Sequence, residues 1–286
     1  MKFGMMFANV GPFVQPDEAA FFASACEEAG IESLWTVEHV VVPAGYQAQY
    51  PYSADGKMPG PENSPIPDPL IWLTWVAAAT RKIKLGTGIL ILPQRHPAYV
   101  AKEVATLDVL SKGRVILGIG IGWLQEEFAA LDIPFESRAA RTEEACQALR
   151  TLWKPGAHAF KGEHFAWDAL ESNPKPVQER IPIVVGGHVK GAARRAARVG
   201  DGFFPLKAEG GRLAELLDVM GDECARVGRD PSEIEITTAS PGNDLDAIRR
   251  LADQGVSRLA IGPPGFDREA VKRGLGELAE KVISKL

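Results

Sequence analysis

The 286-residue sequence predicts a closed (β/α)8 barrel, a TIM barrel with insertions. Three observations carry that expectation. Eight short apolar runs recur near Phe3, Leu34, Leu85, Ile116, Ile183, Phe203, Ile236 and Leu259, with helical patterns between them. The stretch Lys82–Trp123 reads as strand, helix, strand. An apolar run ends in Gly86-Thr87-Gly88, and helical spacing follows at Val100, Val104, Leu107 and Leu110. Ser111-Lys112-Gly113 then turns the chain into a second run, Val115–Gly122. Such crossovers build parallel sheets, and runs apolar on successive residues are buried on both faces. Finally, the length suits one barrel of about 250 residues. An open doubly wound sheet uses the same units, and strand order is not legible in one sequence; the count of eight favours closure.

The elements follow in order. Lys2–Phe7 is the first strand. Pro16, Asp17 and Glu18 open a helix that Gly30 stops, with Asp17 as a candidate cap. Ser33–Val37 is the second strand, with Glu38 and His39 at its carboxyl end. Residues 40–69 are rich in Gly, Pro, Tyr and Asn; a loop this long reads as an active-site lid, and Tyr46, Tyr50 and Tyr52 suit one that packs on something. Asp68-Pro69 caps and starts the next helix. After Trp123 comes a short helix and then a long one, Arg138–Trp153. Residues 158–167 read as a small hairpin around Lys161-Gly162, outside the barrel repeat. Ile181–Val185 is a strand ending in Gly186-Gly187-His188, and three further strand–helix units run to the terminus. The whole, 1–286, reads as one domain.

Composition bounds the function. A net charge of −5 argues against nucleic-acid or anionic-membrane partners. Cys26, Cys146 and Cys224 are scattered through helical patterns, which suggests buried thiols in a reducing compartment and no metal frame. The start MKFGMMF lacks the apolar core of a signal peptide, and no run approaches the roughly 18 apolar residues of a membrane helix. A cytoplasmic protein acting on a small molecule is expected.

Several motifs together resemble one family: Leu34–Pro43 (LWTVEHVVVP), Tyr50–Ser53, Lys84–Pro97, Leu107–Phe128, Arg141–Glu144 and Pro182–Pro205. The chain resembles the bacterial luciferase-like superfamily, in particular its oxidoreductases that use the deazaflavin coenzyme F420. The resemblance spans nearly the whole chain and loosens after Pro205. It implies a TIM barrel with an insertion before the fifth strand. It places Thr87, Gly88 and Ile89 at the cofactor, with a cis peptide at Gly88–Ile89 backing its ring. The resemblance places His39 beside that ring as the catalytic residue, able to give a proton to a substrate as hydride arrives. It places the cofactor ring near Gly120, Gly122 and Trp123, and its phosphate near Gly186, Gly187 and His188, where a helix N-terminus would favour an anion.

Each motif also has a plain reading. Glycines at strand ends serve close packing. Gly118-Ile119-Gly120-Ile121-Gly122 misses the dinucleotide spacing. Trp123 stands where the family's sugar-phosphate dehydrogenases carry a glutamate, which argues against a sugar-phosphate substrate. Glu38 is expected to pair with an arginine, while Arg95 is divided between the cofactor and the surface. Of Glu126 and Glu127, at least one is expected on a solvated helix face. Arg114 and Arg141 are read as partners of nearby acids. The leading expectation is an F420-dependent oxidoreductase, working as a homodimer. The alternative is a monooxygenase using reduced FMN and O2, which would need a separate reductase. A barrel without activity ranks last, because His39 and the glycine rims are present.

Overall fold

The computed structural model describes residues 1–206 and 211–286. In chain order its elements are β1 (Lys2–Met5), α1 (Pro16–Glu28), β2 (Ser33–Thr36), α2 (Pro69–Ala79), β3 (Lys84–Thr87) and β4 (Leu90–Ile91). Next come α3 (Pro97–Ser111), β5 (Val115–Gly120), α4 (Gln125–Ala130), α5 (Arg138–Trp153), β6 (His158–Lys161) and β7 (Ala166–Leu170). The last are β8 (Ile183–Gly186), α6 (Lys190–Val199), β9 (Gly202–Phe204), α7 (Arg212–Val227), β10 (Glu235–Ala239), α8 (Leu245–Asp253), β11 (Val256–Ile261) and α9 (Arg268–Lys281).

The parallel strands run β3-β2-β1-β11-β10-β9-β8-β5, and β3 also pairs with β5, which closes the ring. Leu85 opposite Val115 and Gly86 opposite Ile116 set the closing register. The fold is therefore a (β/α)8 TIM barrel, and the open-sheet alternative is excluded. β4 is a two-residue continuation of the β3 position, pairing with Ile119 and Gly120 of β5. β6 and β7 form an antiparallel hairpin outside the barrel. Glu144 of α5 holds its turn by accepting the N–H groups of Glu163 (2.9 Å) and Phe165 (2.7 Å).

One core lies between the sheet and its helices, and a smaller one fills the barrel. Trp35 dominates the inner core, with Met6, Ile116, Val184, Phe204 and Ala260 around it. Its indole N–H donates to Ser33 Oγ at 2.8 Å. Glycines on three neighbouring strands make room for it. A methyl on Gly4 would lie 2.5 Å from the indole nitrogen, and one on Gly86 3.0 Å from the ring. Gly118 is tighter still, because a methyl there would meet the Thr87 carbonyl oxygen at 1.8 Å. Below Trp35, buried Arg258 pairs with Glu32 at 2.9 Å.

Three local expectations change. Gln15, not Asp17, precedes α1, and Asp17 sits in the first turn, where its charge complements the helix dipole. Among the described residues Arg114 makes no ion pair, although Glu27 lies near enough to favour its charge. The arginine donates to the carbonyls of Ala77, Ile83 and Ser111 and to Thr80 Oγ1, closing the carboxyl end of α2 and the turn before β5. Arg141 donates to the Pro93 carbonyl at 3.0 Å and stacks on Phe165, 4.4 Å from the ring centre. Among the described residues no helix is long and apolar enough to cross a membrane.

Candidate active site

The residues singled out in the sequence follow four successive strands of the closed ring. His39 follows β2, Gly88–Ile89 follows β3, Gly120–Trp123 closes β5, and Gly186–His188 closes β8. This is the carboxyl end of the barrel, where such folds place their sites. The remainder of the mouth holds a cavity of about 630 Å³ at the ends of β1, β10 and β11, lined in part by Met6, Phe7, Leu206, Ser240 and Arg273.

Asn9, fully buried, shapes the chain that leaves β2. Its amide accepts the Val37 N–H at 2.8 Å and donates to the Val37 carbonyl at 2.9 Å. The next two residues turn to different partners. Glu38 Oε2 accepts the Ile91 N–H at 2.5 Å, and Oε1 accepts the guanidinium of Arg95, which also donates to Asp68 at 2.7 Å. Glu38 pairs with an arginine, as expected. Arg95 is thus held by Glu38 and Asp68, with its side chain 20% exposed. Burial works against its charge, but Glu38 and Asp68 outweigh burial and hold it cationic. The same Asp68 caps α2 by accepting the N–H groups of Leu70 and Ile71. One arginine thus ties the β2 end, the β4 turn and the far end of the lid together.

His39 meets a buried carboxylate. Its Nδ1 lies 2.9 Å from Glu127 Oε2, and the two side chains are only 8% and 1% exposed. Glu127 Oε1 accepts the N–H of Val40 at 2.6 Å and of Val41 at 3.2 Å. Glu126 accepts the N–H of Gln47 at 2.7 Å and of Ala48 at 3.1 Å. The hydrogen bond from Gln47 is the chief cause holding the Glu126 carboxyl below the usual range. Glu127 is buried, while Glu126 stays partly exposed, in keeping with one glutamate on a solvated face, and both glutamates of α4 reach the lid. The sequence held a signal for this. Leu124, Glu127 and Phe128 share helical spacing, and both apolar members are fully buried.

The lid packs on aromatic residues. The Trp123 ring lies 5.6 Å from His39, 5.5 Å from Tyr46 and 5.2 Å from Tyr50, each edge to face. Tyr50 continues to Tyr52 at 5.5 Å, and Tyr52 reaches His188 at 4.7 Å. A line of rings therefore crosses the mouth from β2 to β8. Burial pushes the Tyr52 phenol up to about 12, so it remains a neutral hydroxyl near pH 7.

The peptide between Gly88 and Ile89 is cis. The Ile89 side chain lies in a notch between β5 and β8, since a methyl on Gly120 would lie 2.5 Å from its Cδ1 and one on Gly186 2.7 Å from its Cγ2. Gly122 and Gly187 have φ of +77° and +130°, conformations that favour glycine. Thr87 is fully buried, and its hydroxyl donates to the Gly118 carbonyl at 2.6 Å. Its side chain thus joins β3 to β5. Val189 gives α6 no side-chain cap, so among the described residues the N–H groups of Lys190 and Gly191, beside His188, have no partner and could meet an anion.

Residues 1–274 match the luciferase-like monooxygenase family. The chain belongs to that family. It is an enzyme of it. The chain is 31% identical over 273 residues to an uncharacterised protein of Mycobacterium tuberculosis, covering 92% of this chain and 94% of that one. It is 32% identical over 228 residues to an F420-dependent glucose-6-phosphate dehydrogenase of Kineococcus radiotolerans, covering 78% of this chain and 62% of that enzyme. Among solved structures, the coenzyme F420-dependent tetrahydromethanopterin reductase of Methanopyrus kandleri shares the fold, with a TM-score of 0.79 at 18% identity over 99% of both chains.

Proposed function

We propose that this enzyme is an F420-dependent oxidoreductase that moves a hydride between the deazaflavin and a small organic substrate. The observation that carries the reading is the His39–Glu127 pair, a buried imidazole held at the mouth of the barrel beside Trp123. The residues present fit such a cofactor. The aromatic line suits a flat ring, and the uncapped start of α6 suits a phosphate. Gly88, Ile89, Gly120, Gly122 and Trp123 would hold the ring; Gly186, Gly187 and His188 would hold the phosphate. The deazaflavin, when bound, supplies the hydride chemistry. The chain's own residues position and polarise. His39 gives or takes a proton at the substrate oxygen, and the lid shuts out water over the site. The F420-dependent relative at 32% identity supports this choice of cofactor.

The substrate reading follows from the wall. Trp123 and Tyr50 contribute apolar rings here, which favours an apolar or conjugated molecule over a sugar phosphate. A fluorescence titration of the purified protein with F420 and, separately, FMN tests the reading. Micromolar or tighter F420 binding with weak FMN binding is expected. Preference for reduced FMN would replace it with a flavin monooxygenase that uses O2.

A further inference from the structure

We infer that Glu127 is a positioning residue that sets the tautomer of His39 and makes that setting depend on the seated lid. An ionised carboxylate only accepts hydrogen bonds. Glu127 Oε2 stands 2.9 Å from Nδ1 of His39, so the proton of the neutral ring lies on Nδ1. Nε2, which makes no hydrogen bond among the described residues, then keeps its lone pair for a proton arriving from a substrate. Protonated, the ring gives that proton back from Nε2 while Nδ1–H stays on Glu127. A ring held the other way would offer only a fixed N–H at Nε2.

The same carboxylate is a lid anchor. Its second oxygen accepts the N–H groups of Val40 and Val41, the first two residues of the lid. The neighbouring Glu126 accepts those of Gln47 and Ala48. One turn of α4 therefore holds the lid at two places and the imidazole at a third. Glu127 is fully buried. When Val40 and Val41 leave it, two of its three donors go, and the carboxylate loses the contacts that fix its aim at Nδ1. Opening the lid would release the ring, and closing it would set the ring. The catalytic weight of this arrangement rests on the proposed role of His39, but the arrangement itself is testable without cofactor or substrate.

The test is 15N NMR of the imidazoles in the cofactor-free protein, at a pH where the rings are neutral, with His39 assigned by its loss in H39Q. Wild type is expected to show protonated Nδ1 and bare Nε2. In E127Q the amide oxygen still takes Val40 and Val41, while the amide NH2 faces Nδ1 and donates to it. The two nitrogens should then exchange identities, with proton on Nε2. E127D restores an acceptor and should restore the Nδ1–H form. Hydrogen exchange at Val40 and Val41 reads the lid: protected in wild type and E127Q, and at least about tenfold faster in E127A. Retention of Nδ1–H in E127Q, or unchanged exchange in E127A, would overturn the inference. A failed F420 titration would overturn the proposed function and leave these results standing.

Discussion

Replacing Arg95 by methionine should cost stability in a pH-dependent way. Glu38 is 2% exposed at its side chain, and Arg95 supplies hydrogen bonds to its Oε1. In R95M the carboxylate keeps only the Ile91 N–H. Removing one partner of a buried ion pair typically costs about 3–5 kcal/mol, because a charge is left uncompensated. For 286 residues, with about 2.1 cal/mol/K of unfolding entropy each, that lowers Tm by roughly 5–8 °C. The sign of the pH effect follows from burial, which already raises the Glu38 carboxyl with arginine present. Without arginine its folded pKa rises further above the unfolded value of about 4.3. A raised acid binds more protons in the folded state, so stability is full below the unfolded pKa and lost as pH climbs through the folded one. R95M should therefore lie closer to wild type at pH 5 than at pH 7.5. Urea unfolding at both pH values measures this. A loss below 1 kcal/mol at pH 7.5, or the same loss at both, would refute the reasoning.

Two other variants probe the frame and the lid. G118A places a methyl 1.8 Å from the Thr87 carbonyl oxygen, a backbone atom that cannot swing aside. It should lose about 3 kcal/mol or fail to accumulate folded, while G191A, with open space around it, should stay within about 1 kcal/mol of wild type in thermal unfolding. E126A removes the acceptor for Gln47 and Ala48, and the F420 dissociation constant should rise roughly three- to tenfold with Tm nearly unchanged. Because the Glu126 carboxyl is held low, its anchor is present above the ordinary carboxylate range and lost only as pH falls through its depressed pKa; lid proteolysis in wild type should speed up only in that acid range.

The barrel was legible because its signals are local and repeated. Apolar runs, helix starts such as Asp68-Pro69 and turn glycines all act within a few residues. The site was legible only in part. Motif resemblance marked Gly88–Ile89 and His39, but the partners of His39 and Arg95 lie 88 and 57 positions away. Such pairings depend on which strand ends meet. The glycines show a second limit. Gly86 and Gly118 look like rim residues in sequence, yet they make space for Trp35 inside the barrel. Adjacent glutamates at a helix start resemble a solvated face, and only their spacing from Leu124 and Phe128 reveals the buried one.

The central claim is hydride transfer without oxygen. The direct measurement is turnover in an anaerobic cuvette, following the deazaflavin absorbance against a panel of oxidisable alcohols and conjugated ketones. F420-linked turnover should be unchanged when O2 is excluded and lost in H39A, with F420 binding retained. Turnover that requires O2 and reduced FMN, or an H39A enzyme as active as wild type, would contradict it.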